Sequence, residues 1–87
     1  MRWQWVKDSV KVKVKLFGPL AQHRPRGTTG PVAQVELDAG ATVDDLAVQL
    51  GIEHVAAVVC VNDQETHRAR SLKTGDVVSF FAPLAGG

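Results

Sequence analysis

Residues 10–17 alternate with period two: Val10, Val12, Val14 and Leu16 fall on one side, Lys11, Lys13, Lys15 and Phe17 on the other. β-Branched residues at that period predict a strand with one face buried and one solvated. Val32, Val35 and Leu37 predict a second strand of imperfect alternation, which Asp38-Ala39-Gly40 ends. The intervening QHRPRGTTGP, residues 22–31, holds two prolines, two glycines and two threonines and reads as a loop or wide hairpin.

The period then changes. Val43, Leu46, Ala47 and Leu50 stand at i, i+3, i+4 and i+7, the single apolar stripe of an amphipathic helix. Thr42 is a good N-cap, and Asp45 at the third helical position nearly completes a capping box. Asp44 and Asp45 suit the positive end of the helix, and Gly51 is placed to close it in a left-handed conformation. Ala57 to Asn62 predicts a strand, Asn62-Asp63-Gln64 a turn, and residues 65–67 a short further strand. Leu72-Lys73-Thr74-Gly75-Asp76 reads as a turn feeding a last strand over 77–82. The order ββαβ(β)β predicts an α+β domain with one helix against a sheet. A crossover helix between the second and third strands allows that pair to be parallel.

Eighty-seven residues suit one domain, with residues 1–8 as a leader and residues 83–87 as a flexible tail. Trp3 and Trp5 in the leader are available to cap the core or to lie against a neighbour. A net charge of +1 supplies no global field for nucleic acid or a membrane surface. A single cysteine, Cys60, excludes an internal disulfide framework and a cysteine-built metal site. Met1-Arg2-Trp3-Gln4-Trp5 lacks the apolar stretch of a signal peptide. No apolar run is long enough to span a bilayer, so the expected location is the cytoplasm.

The sequence closes with Gly86-Gly87, directly after the apolar run Val77 to Leu84. Two terminal glycines arise by chance in roughly 0.5% of chains. Without side chains, an Ala85-Gly86-Gly87 tail can thread a channel that larger residues would block. Its tip is a carboxylate, ionised at neutral pH and a poor acyl donor until a partner activates it. The pattern therefore suggests a protein whose own C-terminus reacts.

Element order and length together resemble the β-grasp, or ubiquitin-like, fold. Val14-Lys15-Leu16-Phe17-Gly18-Pro19-Leu20 resembles the first strand and turn of the MoaD/ThiS sulfur-carrier family, Thr42-Val43-Asp44-Asp45-Leu46 its helix start, and Val61-Asn62 the end of its third strand. The block from Leu72 to Gly87, with Pro83 and the terminal glycines, matches most specifically. Phe80-Phe81 and the chain length look more like the small subunit of molybdopterin synthase than the shorter thiamine carrier. The Trp-bearing leader and the basic 22–31 loop depart from the family pattern.

The resemblance implies that an adenylating enzyme of the ubiquitin-activating type uses ATP to transfer AMP to Gly87. A sulfur donor, such as a cysteine desulfurase or rhodanese, then replaces AMP to leave a thiocarboxylate. The large subunit of molybdopterin synthase, or an equivalent acceptor, takes the sulfur. Pro83, Leu84, Ala85 and Gly86 would thread the partner's active site. Catalytic groups would lie on partners, so no pocket, bound cofactor or metal is expected.

Strand parity adds a docking surface. Phe17 shares the lysine face; Val77, Ser79 and Phe81 share a face opposite Val78 and Phe80; Val58 and Cys60 lie outside when Val59 and Val61 face the helix. Phe17, Val58 and Phe81 thus make an exposed apolar patch, and the matching family positions bind partners.

Other residues have plainer readings. Cys60 is a small apolar strand residue, with a sulfur-relaying persulfide as the alternative. His23, Arg24 and Arg26, with His67, Arg68 and Arg70, read as solvated loops or a basic patch without the aromatic platform nucleic-acid binding favours. His23, His54 and His67 lack metal-ligand spacing. Lys11, Lys13 and Lys15 make the solvated face of a strand, with a guard against edge pairing as the second reading. Three functions stay open: a sulfur carrier for molybdopterin or for a thiamine, tungsten-cofactor or cysteine pathway; a modifier joined to lysines; and a non-reacting β-grasp binding module.

Overall fold

In the computed structural model, which describes residues 9–83, the period-two segments form β1 (Ser9–Leu16) and β2 (Val32–Asp38). The helical stripe forms α1 (Val43–Leu50), followed by β3 (Val58–Val61), β4 (Gln64–Thr66) and β5 (Val77–Phe81). The five strands make one mixed sheet in the order β2-β1-β5-β3-β4. This is the β-grasp arrangement. The first hairpin is antiparallel, and the last strand returns to lie parallel to β1 at the centre, pairing Lys13 with Val77 and Leu16 with Phe80.

The crossover through α1 leaves β2 and β3 parallel in direction, as expected, but not adjacent: it carries the chain past β1 and β5, which form the hydrogen-bonded parallel pair. One expectation is corrected by this order: β1 is no edge strand, since β2 and β5 flank it, so its lysines guard no edge. In addition, Val32 lies on the exposed face of β2 while Ala33, Val35 and Leu37 are buried. The alternation is thus regular once alanine is counted as the apolar position.

The core lies between the sheet and α1. Val12, Val14, Val61, Val78 and Phe80 point to Val43, Leu46 and Ala47, and all are essentially inaccessible to solvent. The near match at the helix start is a full capping box. Asp45 N–H donates to Thr42 Oγ1 at 3.2 Å, and Thr42 N–H donates to the Asp45 carboxylate at 2.9 Å. Such a cap is worth about 1 kcal/mol. Gly51 ends the helix at φ 79°, a conformation that disfavours any Cβ, and its N–H returns to carbonyls of the last turn.

The turn between β3 and β4 has only two residues, Asn62 and Asp63, both at positive φ, as a tight hairpin turn requires. Asn62 then reaches across to β5. Its side-chain oxygen accepts from Val77 N–H at 3.0 Å and its amide donates to Asp76 at 3.0 Å. The same Asp76 carboxylate accepts from Lys73 N–H at 2.9 Å. These bonds fix the start of β5.

A 3-10 helix over Gly18–His23, where the sequence pattern predicts no element, follows β1 and buries Leu20. No helix among the described residues is long and apolar enough to cross a membrane.

Candidate functional site

The open face of the sheet, opposite α1, carries an aromatic pair. β1 stops at Leu16 because Gly18 takes φ +60°, which turns the chain into the 3-10 helix. Phe17, just before the turn, stays in the sheet through its N–H, which donates to the Phe80 carbonyl at 3.1 Å. That bond extends the β1–β5 register by one step and sets Phe17 beside Phe81. The rings stack with centroids 4.6 Å apart and planes 3° from parallel. Val58 is the direct cross-strand partner of Phe81 on the other side. All three remain open to solvent, at 42% for Phe17, 36% for Val58 and 37% for Phe81.

Phe81 is the last residue of β5, and Ala82 and Pro83 continue from it, both exposed. Leu84, Ala85, Gly86 and Gly87, the remaining expected tail residues, lie outside the described residues, as do Trp3 and Trp5. The patch therefore sits where the tail begins. Its geometry offers a partner a flat apolar contact directly beside the departing chain.

Below the aromatic pair, Ser79 shares their face yet is only 8% exposed. The serine marks the outer face, but not because it is solvated. It lies mid-sheet, in register with Lys15 on one side and Cys60 on the other. Cys60 is half-buried there and unpaired with any other cysteine.

Arg68 is a structural clamp: its guanidinium donates to the Val55 carbonyl at 2.7 Å and the Glu53 carbonyl at 3.4 Å, and lies 3.6 Å from the Asp44 carboxylate. It ties the segment after α1 to the helix start, and no spacing in the sequence signals this role. Among the described residues, no three His, Cys, Asp or Glu side chains gather as metal ligands would.

At the free edge of β2 lies an open depression of about 380 Å³, lined by His23, Pro25, Gln34, Glu36, Gln49 and Leu50 among others. It is formed by β2, the 22–31 loop and the C-terminal turn of α1, away from Phe17 and Phe81.

Comparison with known proteins agrees with this architecture. Among curated proteins no significant sequence match was found. Among solved structures, a Pyrococcus furiosus protein designated molybdopterin converting factor, subunit 1, is 31% identical, with a TM-score of 0.69 over 86% of this chain and 99% of its own. Small archaeal modifier protein 1 of Haloferax volcanii superposes with a TM-score of 0.69 at 23% identity, over 86% of this chain and 99% of its own. The complex of subunits 1 and 2 of the Helicobacter pylori molybdopterin-converting factor matches with a TM-score of 0.53 at 23% identity, over 90% of this chain and 100% of the matched one. The last two likenesses establish the fold alone. The ThiS family model matches residues 14–87, from the middle of β1 through the final glycines. The chain belongs to the ThiS family of small ubiquitin-like proteins.

Proposed function

We propose that this protein carries sulfur on its C-terminal residue for the synthesis of molybdopterin. Gly87 is adenylated by a ubiquitin-activating-type enzyme using ATP. The carboxylate oxygen attacks the α-phosphorus and pyrophosphate leaves. The outer sulfur of a donor persulfide, such as that of a cysteine desulfurase or rhodanese, then displaces AMP to give an acyl disulfide. Attack of a second thiol on the donor's cysteine sulfur releases the thiocarboxylate and leaves a disulfide. The thiocarboxylate sulfur is the nucleophile handed to the acceptor subunit. In this reading the protein is a co-substrate in the cytoplasm, binds no cofactor itself, and leaves catalysis to its partners.

The observation that carries the reading is the family match through Gly86-Gly87, on a chain whose aromatic pair flanks the start of the same tail. Phe17, Phe81 and Val58 dock on the partner, while Pro83 to Gly87 extend into its active site as an added strand. The molybdenum pathway is favoured over thiamine because the relative at 31% identity is designated a molybdopterin converting factor subunit.

The test is the intact mass after incubation with ATP, a cognate adenylating enzyme and a sulfur source. Exchange of one terminal oxygen for sulfur, localised to Gly87, is expected. An unchanged mass, with the enzyme active on its own carrier, refutes the reading. Conjugates to lysine side chains that vanish when Gly87 is deleted would instead identify a protein modifier, which shares the activation step.

A further inference from the structure

The strand registers lay out the open face of the sheet as a grid, because directly opposed residues point to the same side. One row holds Val58, Phe81 and, beside it, Phe17. The next holds Val32, Lys15, Ser79, Cys60 and Glu65. The next holds Gln34, Lys13 and Val77, followed by Lys11 with Glu36 and then Ser9 with Asp38. Moving away from the aromatic pair along β1, Lys15, Lys13 and Lys11 follow at steps of about 7 Å.

These three lysines are not equivalent. Lys11 faces a carboxylate, Glu36, directly across the ladder. Lys15 lies between Val32 and Ser79, and Lys13 between Gln34 and Val77. Neither has a carboxylate directly opposite, although Glu36 is a diagonal neighbour of Lys13, and no ion pair within 4.0 Å involves any of the three lysines among the described residues. A lysine guarding a sheet edge would need no partner, but β1 is interior. Lys15 and Lys13 thus stand in mid-sheet with no carboxylate directly opposite, in line with the stacked rings.

We propose that the adenylating enzyme that receives the tail carries carboxylates opposite Lys13 and Lys15, next to an apolar recess for Phe17 and Phe81. The inference rests on the carrier reading above. The apolar contact supplies affinity but, being non-directional, permits rotation of one protein on the other. The lysine pair lies to one side of the aromatic contact, so matching it to carboxylates selects one orientation and speeds encounter. That orientation decides whether the tail leaving Phe81 points into the active site.

The experiment measures association of the purified adenylating enzyme with wild type, K13R/K15R, K13Q/K15Q, K13E/K15E and F81A, in low salt and in 1 M NaCl, where the Debye length is about 3 Å. Thermal melts confirm that each variant folds, and the neutral glutamine pair avoids placing new like charges near Glu36. K13E/K15E is expected to associate at least about tenfold more slowly than wild type in low salt, in line with electrostatic steering. The gap should close in 1 M NaCl, K13R/K15R should match wild type, and F81A should lose affinity at both salt concentrations. If wild type is thiocarboxylated while K13E/K15E and K13Q/K15Q associate at its rate in low salt, the lysines merely solvate the face and this inference alone is overturned. If an enzyme active on its own carrier neither binds nor modifies wild type, the carrier reading falls, and this inference with it.

Discussion

Phe80 and Phe81 are adjacent in the chain and opposite in setting. Phe80 lies wholly beneath α1, while Phe81 is 37% exposed and stacked on Phe17. The same contrast divides the whole sheet. The helix side is continuous aliphatic packing, built from Val12, Val14, Val61 and Val78. The open side mixes aromatic rings, lysines, a shaded serine and a half-buried cysteine. A strand of alternating parity thus gives one face to stability and leaves the other free for recognition, so neighbouring substitutions should have unrelated consequences.

The sharpest way to break that contrast is Phe80→Ala. Truncating a fully buried aromatic costs about 3–5 kcal/mol, a large share of a small domain's stability. Urea unfolding should show a collapsed midpoint, and any loss of carrier activity would follow from unfolding. Asp76→Ala should come next. It removes an acceptor serving both Asn62 and Lys73 N–H, and leaving partly buried donors unmatched costs about 1–3 kcal/mol. Hydrogen exchange should show faster opening at the start of β5.

On the open side, Phe81→Ala should lower stability by about 2 kcal/mol, less than Phe80→Ala, because the stack and only a partial burial of the ring are lost. Partner affinity should nonetheless fall, as titration calorimetry against the adenylating enzyme would show. An F81A protein with full affinity would remove the aromatic pair from the docking surface. Lys13→Gln with Lys15→Gln should move stability least, within about 0.5 kcal/mol, as for ordinary surface changes. A chemical denaturation curve shifted well beyond that would mean that the open face also stabilises the fold.

Much of this division is legible in the chain itself. The Val/Lys alternation of β1 separates the two faces, and the Thr42–Leu50 pattern locates the helix and its cap because both are local, periodic signals. What escapes is either non-local or aperiodic. Strand order depends on pairings between segments far apart in the chain, so the central β1–β5 pairing is not encoded in local spacing. Ala33 is too small to register as a core position, which shifts attention to Val32. The 3-10 helix after Gly18 is too short for a period to show, although Pro19 fits its first turn. The role of Arg68 rests on backbone carbonyls, which have no residue-type signature. For the candidate site, parity places Phe17, Val58 and Phe81 outside, but their stacking and register come only from the fold.

The central position of β5 also has a kinetic consequence. During synthesis β1, β2 and α1 emerge first, and the hairpin and helix are local structures. The slot between β1 and β3 stays empty until the last described strand has been made, so the sheet closes through a contact more than sixty residues apart in sequence. Such closure is late and comparatively slow. A nascent or truncated chain lacking β5 has no continuous sheet and no stacked rings, so folding itself acts as a checkpoint: only a chain translated through Phe81 can assemble the surface beside its tail.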